Sequence, residues 1–288
     1  MGGSLKQLFE NIRPYFAEYF FWLLVVSGLC LGLERLFAWR KDQPWNRPQI
    51  GQDVFFLVFN GHIFGFLMAK LLFMVAEQLP PVNIGILQKT EALRLLHNLP
   101  WLAQLIIFLI IKDFCEWGVH NILHRQAILW EFHKLHHSIT QMDWIGNFRF
   151  HFAEVIVYRT LTWLPLLSLG PDPSIILPMA AIVTLIGHLN HANLHWNYGI
   201  LRYVINSPRM HIWHHDLKCH YRSGQNFAIV FSIWDYLFKT AYFPEDKEAP
   251  DQLGFHGMAN YPESLFTRLW LPFKSLLSMR GKNDKVAD

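Results

Sequence analysis

The sequence predicts an all-α protein, a polytopic membrane helix bundle of about four to five spanning or re-entrant helices with a helical cap on the cytoplasmic side. Three observations lead to this prediction. Apolar residues make up 52% of the 288 residues and charged residues only 16%, whereas an average soluble protein has about 25% charged residues. Several apolar runs approach the roughly 20 residues that cross a bilayer. Histidines also recur in clusters with helical spacing.

Five apolar segments divide the chain. They are residues 19–33, 54–76, 101–119, 155–169 and 174–190. The first, "YFFWLLVVSGLCLGL", and the third are apolar enough to predict spanning helices, and the second is a weaker candidate because it contains His62 and Lys70. The last two are short and are separated by the turn "GPDPS". This pair could therefore be a helical hairpin that enters the bilayer and returns.

Basic residues predict the orientation in the membrane. The loop after the first apolar segment contains Arg40, Lys41 and Arg47, whereas residues 77–98 balance basic and acidic side chains. The positive-inside rule then places residues 40–50 in the cytoplasm. It follows that the C-terminal ends of the third and fifth apolar segments face the cytoplasm as well. No nucleic-acid partner is expected.

Most histidines of the chain fall into four clusters. They are His120-x-x-x-His124, His133-x-x-His136-His137, His191-x-x-x-His195 and His211-x-x-His214-His215. Side chains three and four residues apart on a helix are neighbours, so each cluster presents two or three imidazoles on one face. The first and third clusters continue the third and fifth apolar segments. A compact bundle can therefore bring all four clusters to one place at the cytoplasmic face.

Ten imidazoles at one place predict a metal site. Because tetrahedral and octahedral sites take four to six donors, two ions sharing the ten rings is the natural division. Imidazole suits zinc, copper, iron and nickel alike. The clusters contain no HExxH motif and no carboxylate, which a hydrolytic zinc site would favour. A pair of redox metals fits oxidation of an unreactive C–H bond, which needs dioxygen and two electrons.

Four further residues are predicted to support the ligands. They are Asp113, Glu116, His151 and His188. Asp113 and Glu116 share a helical stripe with His120, and a carboxylate inside a span costs about 2.5–3.5 kcal/mol on insertion scales. A hydrogen bond to a ligand imidazole would offset this cost and fix the tautomer. For Glu116, a helix-end acid facing water is an equal alternative.

The order HxxxH, HxxHH, HxxxH, HxxHH resembles that of the sterol desaturase / fatty acid hydroxylase superfamily of integral-membrane di-iron enzymes. The blocks "DFCEWGVHNILHR", "LWEFHKLHHS", "MDWIGNFRFHFAE", "NHANLHWNYGILRYVINSPRMHIWHH" and "NFAIVFSIWDYLFKT" resemble family blocks in the same order, over about residues 100–245. The resemblance implies that the metal ligands are His120, His124, His133, His136, His137, His191, His195, His211, His214 and His215. No catalytic residue beyond these ligands is implied.

The resemblance further implies two iron ions, with dioxygen as co-substrate. Such a site would hydroxylate or desaturate a C–H bond of a sterol, a fatty acyl chain or a related lipid. Electrons would come from a b-type cytochrome or a ferredoxin with its reductase. Because the sequence shows no haem domain, the donor is expected to be a separate protein.

The resemblance also divides the chain. Residues 1–99 are expected to form an N-terminal membrane region with two apolar segments, residues 100–245 the catalytic domain, and residues 246–288 a tail with an interfacial amphipathic segment. The final "KNDKVAD" is not an obvious endoplasmic-reticulum retrieval signal. This favours a bacterial inner membrane, or the endoplasmic reticulum if the chain is eukaryotic.

Two alternatives to this function stay open. A membrane metal-binding or metal-transport protein would place polar ligands along a path across the bilayer. A zinc-dependent lipid hydrolase would act without oxygen or reductant.

Overall fold

The computed structural model describes residues 5–78, 96 and 98–283, so most of the loop at residues 77–98 and the final residues lie outside the described part. The helices in chain order are α1 (Leu5–Leu36), α2 (Ile50–Val58), a π-helical turn (Phe59–Ile63), α3 (Phe64–Gln78), α4 (Trp101–Arg125), α5 (Ala127–His137), α6 (Phe152–Ser168), α7 (Ile176–His191), α8 (Pro208–His214), α9 (Ile233–Leu237) and α10 (Leu265–Asn283). Short 3-10 turns lie at Trp144–Phe148, Pro173–Ile175, Gly199–Tyr203 and Met258–Asn260. Among the described residues, extended pairing is limited to isolated bridges. The predicted all-α helix bundle is confirmed.

In the described part of the chain, three helical segments are long and apolar enough to cross a membrane. They are Glu18–Leu36, Ile50–Leu72 and Pro173–His191. The third is one of the two segments that the sequence marks as short, and the 3-10 turn at its start gives it the extra length. Helix α4 covers the predicted span at residues 101–119, but it carries Lys112, Asp113 and Glu116, all buried inside the bundle. The sequence does not show that these charges point inward.

Packing places the ends of α4 and α7 on one side of the bundle. The two helices begin together, since the Trp101 indole N–H donates to the Ser174 hydroxyl at 2.9 Å. Phe108, Leu166 and Met179 are fully buried in a core shared by α4, α6 and α7. Between membrane helices such side chains stabilise the bundle by van der Waals packing. Because α4 and α7 run in the same direction, their histidine-bearing C-terminal ends meet.

The π-helical turn holds the segment that leads into α6. Asn60, buried in this turn, donates from Nδ2 to the carbonyl oxygens of Phe148 and Phe150 at 3.0 and 2.7 Å. A Cβ atom at Gly61 would lie 3.2 Å from the Phe148 ring, so glycine permits this close approach. One extra residue in a helical turn re-aims a side chain, as is common near functional sites. Here the re-aimed side chain fixes residues 148–150.

Buried ion pairs fix the same segment from the other side. Asp53, at the start of α2, accepts hydrogen bonds from Arg47 at 2.6 Å and from Arg149 at 2.5 Å. Arg47 also donates to both carboxylate oxygens of Asp143. All four side chains are buried. Because an unpaired buried charge is costly, loss of one partner is expected to destabilise this corner by about 3–5 kcal/mol.

Candidate metal centre

Four helix ends supply the histidines. The C-terminal parts of α4 and α5 carry the first two clusters, and the last turn of α7 carries His191. His211 and His214 lie on α8, and His215 follows directly after it. Helix α8 is only seven residues long, and its start is fixed by its sequence. The Ser207 hydroxyl accepts from the Met210 N–H at 3.2 Å, and Pro208 occupies the first helical position. These two residues orient the rings that follow.

Nine imidazoles assemble into two adjoining groups. The first histidine group is His120, His124, His133, His137 and His214, and the second histidine group is His136, His191, His211 and His215. Within each group the candidate ligand atoms all lie within 4.8 Å of one another. The rings of His137 and His215, one from each group, have centroids 4.7 Å apart. Among the described residues, no carboxylate or thiol joins either group.

Hydrogen bonds at the outer nitrogens fix the tautomer of several rings. The Nδ1 atoms of His120 and His214 donate to the carbonyl oxygens of Phe227 and Gln225, each at 2.7 Å. His191 Nδ1 donates to the Gly187 carbonyl at 2.8 Å. Because a carbonyl only accepts, Nδ1 must carry the proton, and Nε2 is left with a free lone pair.

These lone pairs point at one another. His120 Nε2 lies 3.2 Å from His133 Nε2, and His191 Nε2 lies 3.3 Å from the Nε2 atoms of His136 and His211. The Nε2 atom of His214 is buried without a hydrogen-bond partner. Two nitrogens that each bind one ion at about 2.1 Å lie roughly 3.0–3.4 Å apart. The nitrogen positions therefore fit a metal ion in each group, and without a cation their lone pairs would repel.

Burial keeps the rings in the ligand form. Burial first, and the neighbouring imidazoles second, hold the pKa well below the usual 6.5 for His133, His136, His137, His211 and His215. A neutral imidazole is the form that binds a metal ion. His133 Nδ1 is 2.6 Å from Glu154 Oε1, and burial raises the pKa of that carboxyl group. This pair joins α5 to the start of α6.

Aromatic side chains and a tight loop cover the two groups. Phe150 stacks on His136 with ring centroids 4.5 Å apart, and Trp130 lies 5.0 Å from His124. Gly224, at φ +105°, brings its backbone so close that a Cβ atom would lie 3.1 Å from His124 Nδ1. Only glycine suits both the φ angle and the space. Such a cover excludes water from the site.

The structure does not bring the tenth predicted ligand, His195, to the other nine. Helix α7 ends at His191, and the next residue, Ala192, is extended. His195 therefore leaves the helix face and lies near the surface. Its Nε2 is 2.7 Å from the Arg209 guanidinium and 3.4 Å from Glu248, and its ring packs on Trp39.

The two predicted acidic partners have other contacts. Asp113 accepts hydrogen bonds from the N–H groups of Val230 and Phe231, each at 2.8 Å, and from the Trp234 indole. Glu116 pairs with Lys112 at 2.5 Å. Among the described contacts, neither carboxylate bonds to a histidine of the two groups.

The two predicted supporting histidines also lie outside the groups. His151 caps α6 by accepting from the Ala153 N–H at 3.1 Å, and its Nε2 donates to the Leu269 carbonyl at 2.9 Å. His188 lies 3.2 Å from the Ser27 hydroxyl and 3.0 Å from the Asn147 amide. His151 thus connects α6 to α10, and His188 connects α7 to α1.

Two carboxylates near the site were not predicted in their actual roles. Glu154 contacts His133 through Nδ1. Asp235 accepts hydrogen bonds from the N–H groups of Phe227 and Ala228 at 2.9 Å. Asp235 thereby holds the loop whose Phe227 carbonyl binds His120. Glu154 and His133 are 21 residues apart and on different helices, so helical spacing does not predict their contact.

Residues 105–240 match the fatty acid hydroxylase family. The chain is 32% identical to ornithine lipid hydroxylase OlsE of Rhizobium tropici over 187 residues, 65% of this chain and 54% of that protein. It is 26% identical to alkylglycerol monooxygenase of Homo sapiens over 64% of this chain and 40% of that protein. It is 26% identical to methylsterol monooxygenase 1-3 of Arabidopsis thaliana over 48% and 47% of the two chains. The matched part is about half the length of these relatives or less. No solved structure matches the chain.

The fold and the paired histidine groups define a helical membrane protein with a site fit for metal binding. The matched region and the relatives agree with the resemblance that the motifs indicate: residues 105–240, just under half of the chain, are similar to the fatty acid hydroxylase family. The three relatives are named as one hydroxylase and two monooxygenases.

Proposed function

We propose that this protein is a membrane-bound di-iron oxidoreductase that uses dioxygen and two electrons to oxidise a C–H bond of a lipid. The observation that carries the proposal is the pair of adjoining histidine groups with inward-facing lone pairs. Imidazole alone suits several metals. Iron is favoured because neither group contains a carboxylate or a thiolate and because the relatives are oxygenases by name.

The first histidine group would hold one ion and the second would hold the other. Bound iron would supply the activation of dioxygen. The protein's own contribution is orientation and cover. Outer hydrogen bonds from His120, His191 and His214 aim Nε2 inward, and Phe150 and the Gly224 loop keep water away. We propose that the ligands are the nine grouped rings, with His195 as a surface residue.

The proposed substrate is a bilayer lipid, and hydroxylation is the favoured outcome over desaturation. The names of the relatives include an ornithine lipid hydroxylase, an alkylglycerol monooxygenase and a methylsterol monooxygenase. These names share a membrane lipid as the substrate and insertion of oxygen as the reaction.

The predicted arrangement in the cell is part of the same proposal. The metal site would face the cytoplasm, where a separate b-type cytochrome or ferredoxin would deliver electrons. The division into residues 1–99, 100–245 and 246–288 also stays a prediction. Exposure of Phe266, Trp270 and Leu277, on one face of α10, supports an interfacial segment in the tail.

The test is metal analysis and oxygen labelling with protein purified in detergent. The wild type is expected to hold two irons per chain and, with a reductant, to introduce labelled oxygen from ¹⁸O₂ into a lipid of the host extract. His133→Ala is expected to abolish labelling, whereas His195→Ala serves as the matched control that retains it. Bound zinc with oxygen-independent activity would favour a hydrolase. Metal-dependent transport into vesicles without lipid oxidation would favour a transporter.

A further inference from the structure

A cavity of about 400 Å³ opens at the C-terminal end of α1, and none of the nine grouped histidines lines it. It lies between the last turn of α1, the loop at residues 38–45 and the 3-10 turn Trp144–Phe148. Part of its lining is apolar, with Leu31, Leu36 and Trp45, and part is charged, with Arg35, Arg40 and Lys41.

The cations of the cavity outnumber its anions. Among the described residues, Arg35, Arg40 and Lys41 form no salt bridge at all. The guanidinium group of Arg40 donates to neutral groups, the Gln43 side chain and the Met142 carbonyl. The cavity also contains Glu34 and Asp143, but Asp143 is already neutralised by Arg47 at 2.5 Å. The cavity therefore keeps a net positive charge, which suits an anionic ligand.

The apolar side of the cavity continues into a membrane span. Leu31 and Leu36 belong to the candidate span Glu18–Leu36, and their exposed fractions are 41% and 77%. Trp45 is also exposed, and the Arg35 guanidinium lies 5.8 Å from its ring centroid. Tryptophan is enriched at membrane–water interfaces, and basic residues beside a span attract anionic lipid head groups. One end of the cavity thus borders hydrocarbon and the other borders water.

The floor of the cavity is held rigidly. The Arg40 N–H donates to Asn193 Oδ1 at 3.0 Å, and Asn193 Nδ2 donates to the Arg40 carbonyl at 2.9 Å. The Trp39 N–H also donates to the Asn193 carbonyl at 2.9 Å. These bonds fix the cationic loop on the segment that follows His191, so the cations are held near one another before any ligand arrives.

We propose that this cavity binds the anionic head group of a bilayer lipid, a phosphate diester or a carboxylate, with the lipid tails along the outer face of α1. Arg35 and Lys41 supply the positive charge, and Trp45 packs beside the head group. Leu31 and Leu36 contact the first methylene groups of the tails. The site is separate from the metal centre, and it does not depend on turnover.

The test is lipid binding by native mass spectrometry of the full-length protein in a neutral detergent. Four probes are compared: phosphatidylglycerol, oleate, diacylglycerol and inorganic phosphate. Phosphatidylglycerol and oleate are expected to remain bound, whereas diacylglycerol, which has tails but no anion, and phosphate, which has the anion but no tails, are expected to bind at least about tenfold more weakly. Equal binding of diacylglycerol would overturn the role of charge, and equal binding of phosphate would overturn the role of the bilayer lipid.

Variants locate the site. The double variant Arg35→Ala/Lys41→Ala is expected to weaken phosphatidylglycerol binding at least about tenfold, and Arg35→Lys is expected to retain most of it. The matched control is Arg222→Ala/Lys239→Ala, which removes two exposed cations that also lack a salt bridge among the described residues. Unfolding temperature checks that both double variants fold. Equal loss in the two double variants, or no loss in the first, would place the lipid elsewhere.

Discussion

The two histidine groups differ in how many rings they contain and in how those rings are held. The first has five rings, and three of them are fixed at Nδ1, two by carbonyl oxygens and one by Glu154. The second has four rings, and among its described contacts only His191 has a hydrogen bond at Nδ1. His124, in the first group, is also the one ring of the nine that is not fully buried. The first group therefore has one donor more than the second, which we call the spare donor, and one partly buried ring, whereas all four rings of the second are buried.

Removing a ligand from the second group is expected to have the largest effect. His191→Ala leaves three rings and takes away the nitrogen that faces both His136 and His211. We expect it to release one metal equivalent and to lower lipid oxidation by more than about 100-fold, beyond the 10–100-fold typical of losing a supporting hydrogen bond. Metal content by mass spectrometry and labelled-product formation measure the two effects.

His124→Ala is the matched variant in the first group, because it leaves four rings in place. It is expected to retain more metal than His191→Ala. Equal metal loss in the two variants would show that the fifth ring does not help the first group to retain its metal ion.

Acid is expected to lower the free energy of unfolding of the metal-free protein. Burial holds the pKa of His136, His211 and His215 well below the value near 6.5 that each has when unfolded. The unfolded chain therefore binds more protons, and the free energy of unfolding falls as the pH drops below about 6.5. Each such ring contributes a loss of about 1.4 kcal/mol per pH unit until its folded pKa is reached.

Thermal unfolding of the chelator-treated protein between pH 8 and pH 5 measures this loss. His211→Gln removes one titrating ring from the second group. The slope of its unfolding free energy against pH is therefore expected to be smaller by the equivalent of about one proton. A stability that stays flat across this range would mean that the rings are not buried in the neutral form.

Glu154→Gln is expected to affect the first group alone. Glutamine keeps an oxygen beside His133 Nδ1 but removes the negative charge that makes the ring a stronger donor. We expect a 10–100-fold loss of metal affinity at one of two sites, seen as two-step metal release in a chelator titration. Glu248→Gln, beside His195, is the control that is expected to leave both steps unchanged.

The smallest effect is expected for His195→Ala. The side chain is 43% exposed and lies outside both groups, so metal content is expected to be unchanged and activity to stay within about twofold of the wild type. Loss of a metal equivalent in this variant would return His195 to the ligand set.

Helical spacing in the sequence predicts ten rings at one place, and the structure brings nine of them together, with His195 lying elsewhere. Spacing at i and i+4 places two side chains together only while the helix continues. Helix α7 ends at His191, and the next turn pairs Leu194 with Ala38 in an isolated bridge. Ala38 lies in the loop after α1, more than 150 residues before Leu194. No local signal around His195 reveals that contact.

The supporting residues were harder to predict because their partners are remote. Asp113 lies on the predicted stripe with His120, yet the N–H groups of Val230 and Phe231, 117 and 118 residues further along, occupy its carboxylate. Glu154 is 21 residues from His133 and on another helix. The apolar segments, by contrast, are set by composition over many consecutive residues. The bundle therefore follows from the sequence more directly than the contacts inside it.

Main-chain oxygens accept three of the four hydrogen bonds that aim the rings: those of Phe227, Gln225 and Gly187. A substitution at an acceptor residue leaves its carbonyl in place, so these bonds are insensitive to point mutation. Among the described contacts, Glu154 is the one side chain that accepts a hydrogen bond from an outer ring nitrogen. A substitution at Glu154 is therefore a way to change how strongly a ligand ring donates electrons to the centre without moving a ligand.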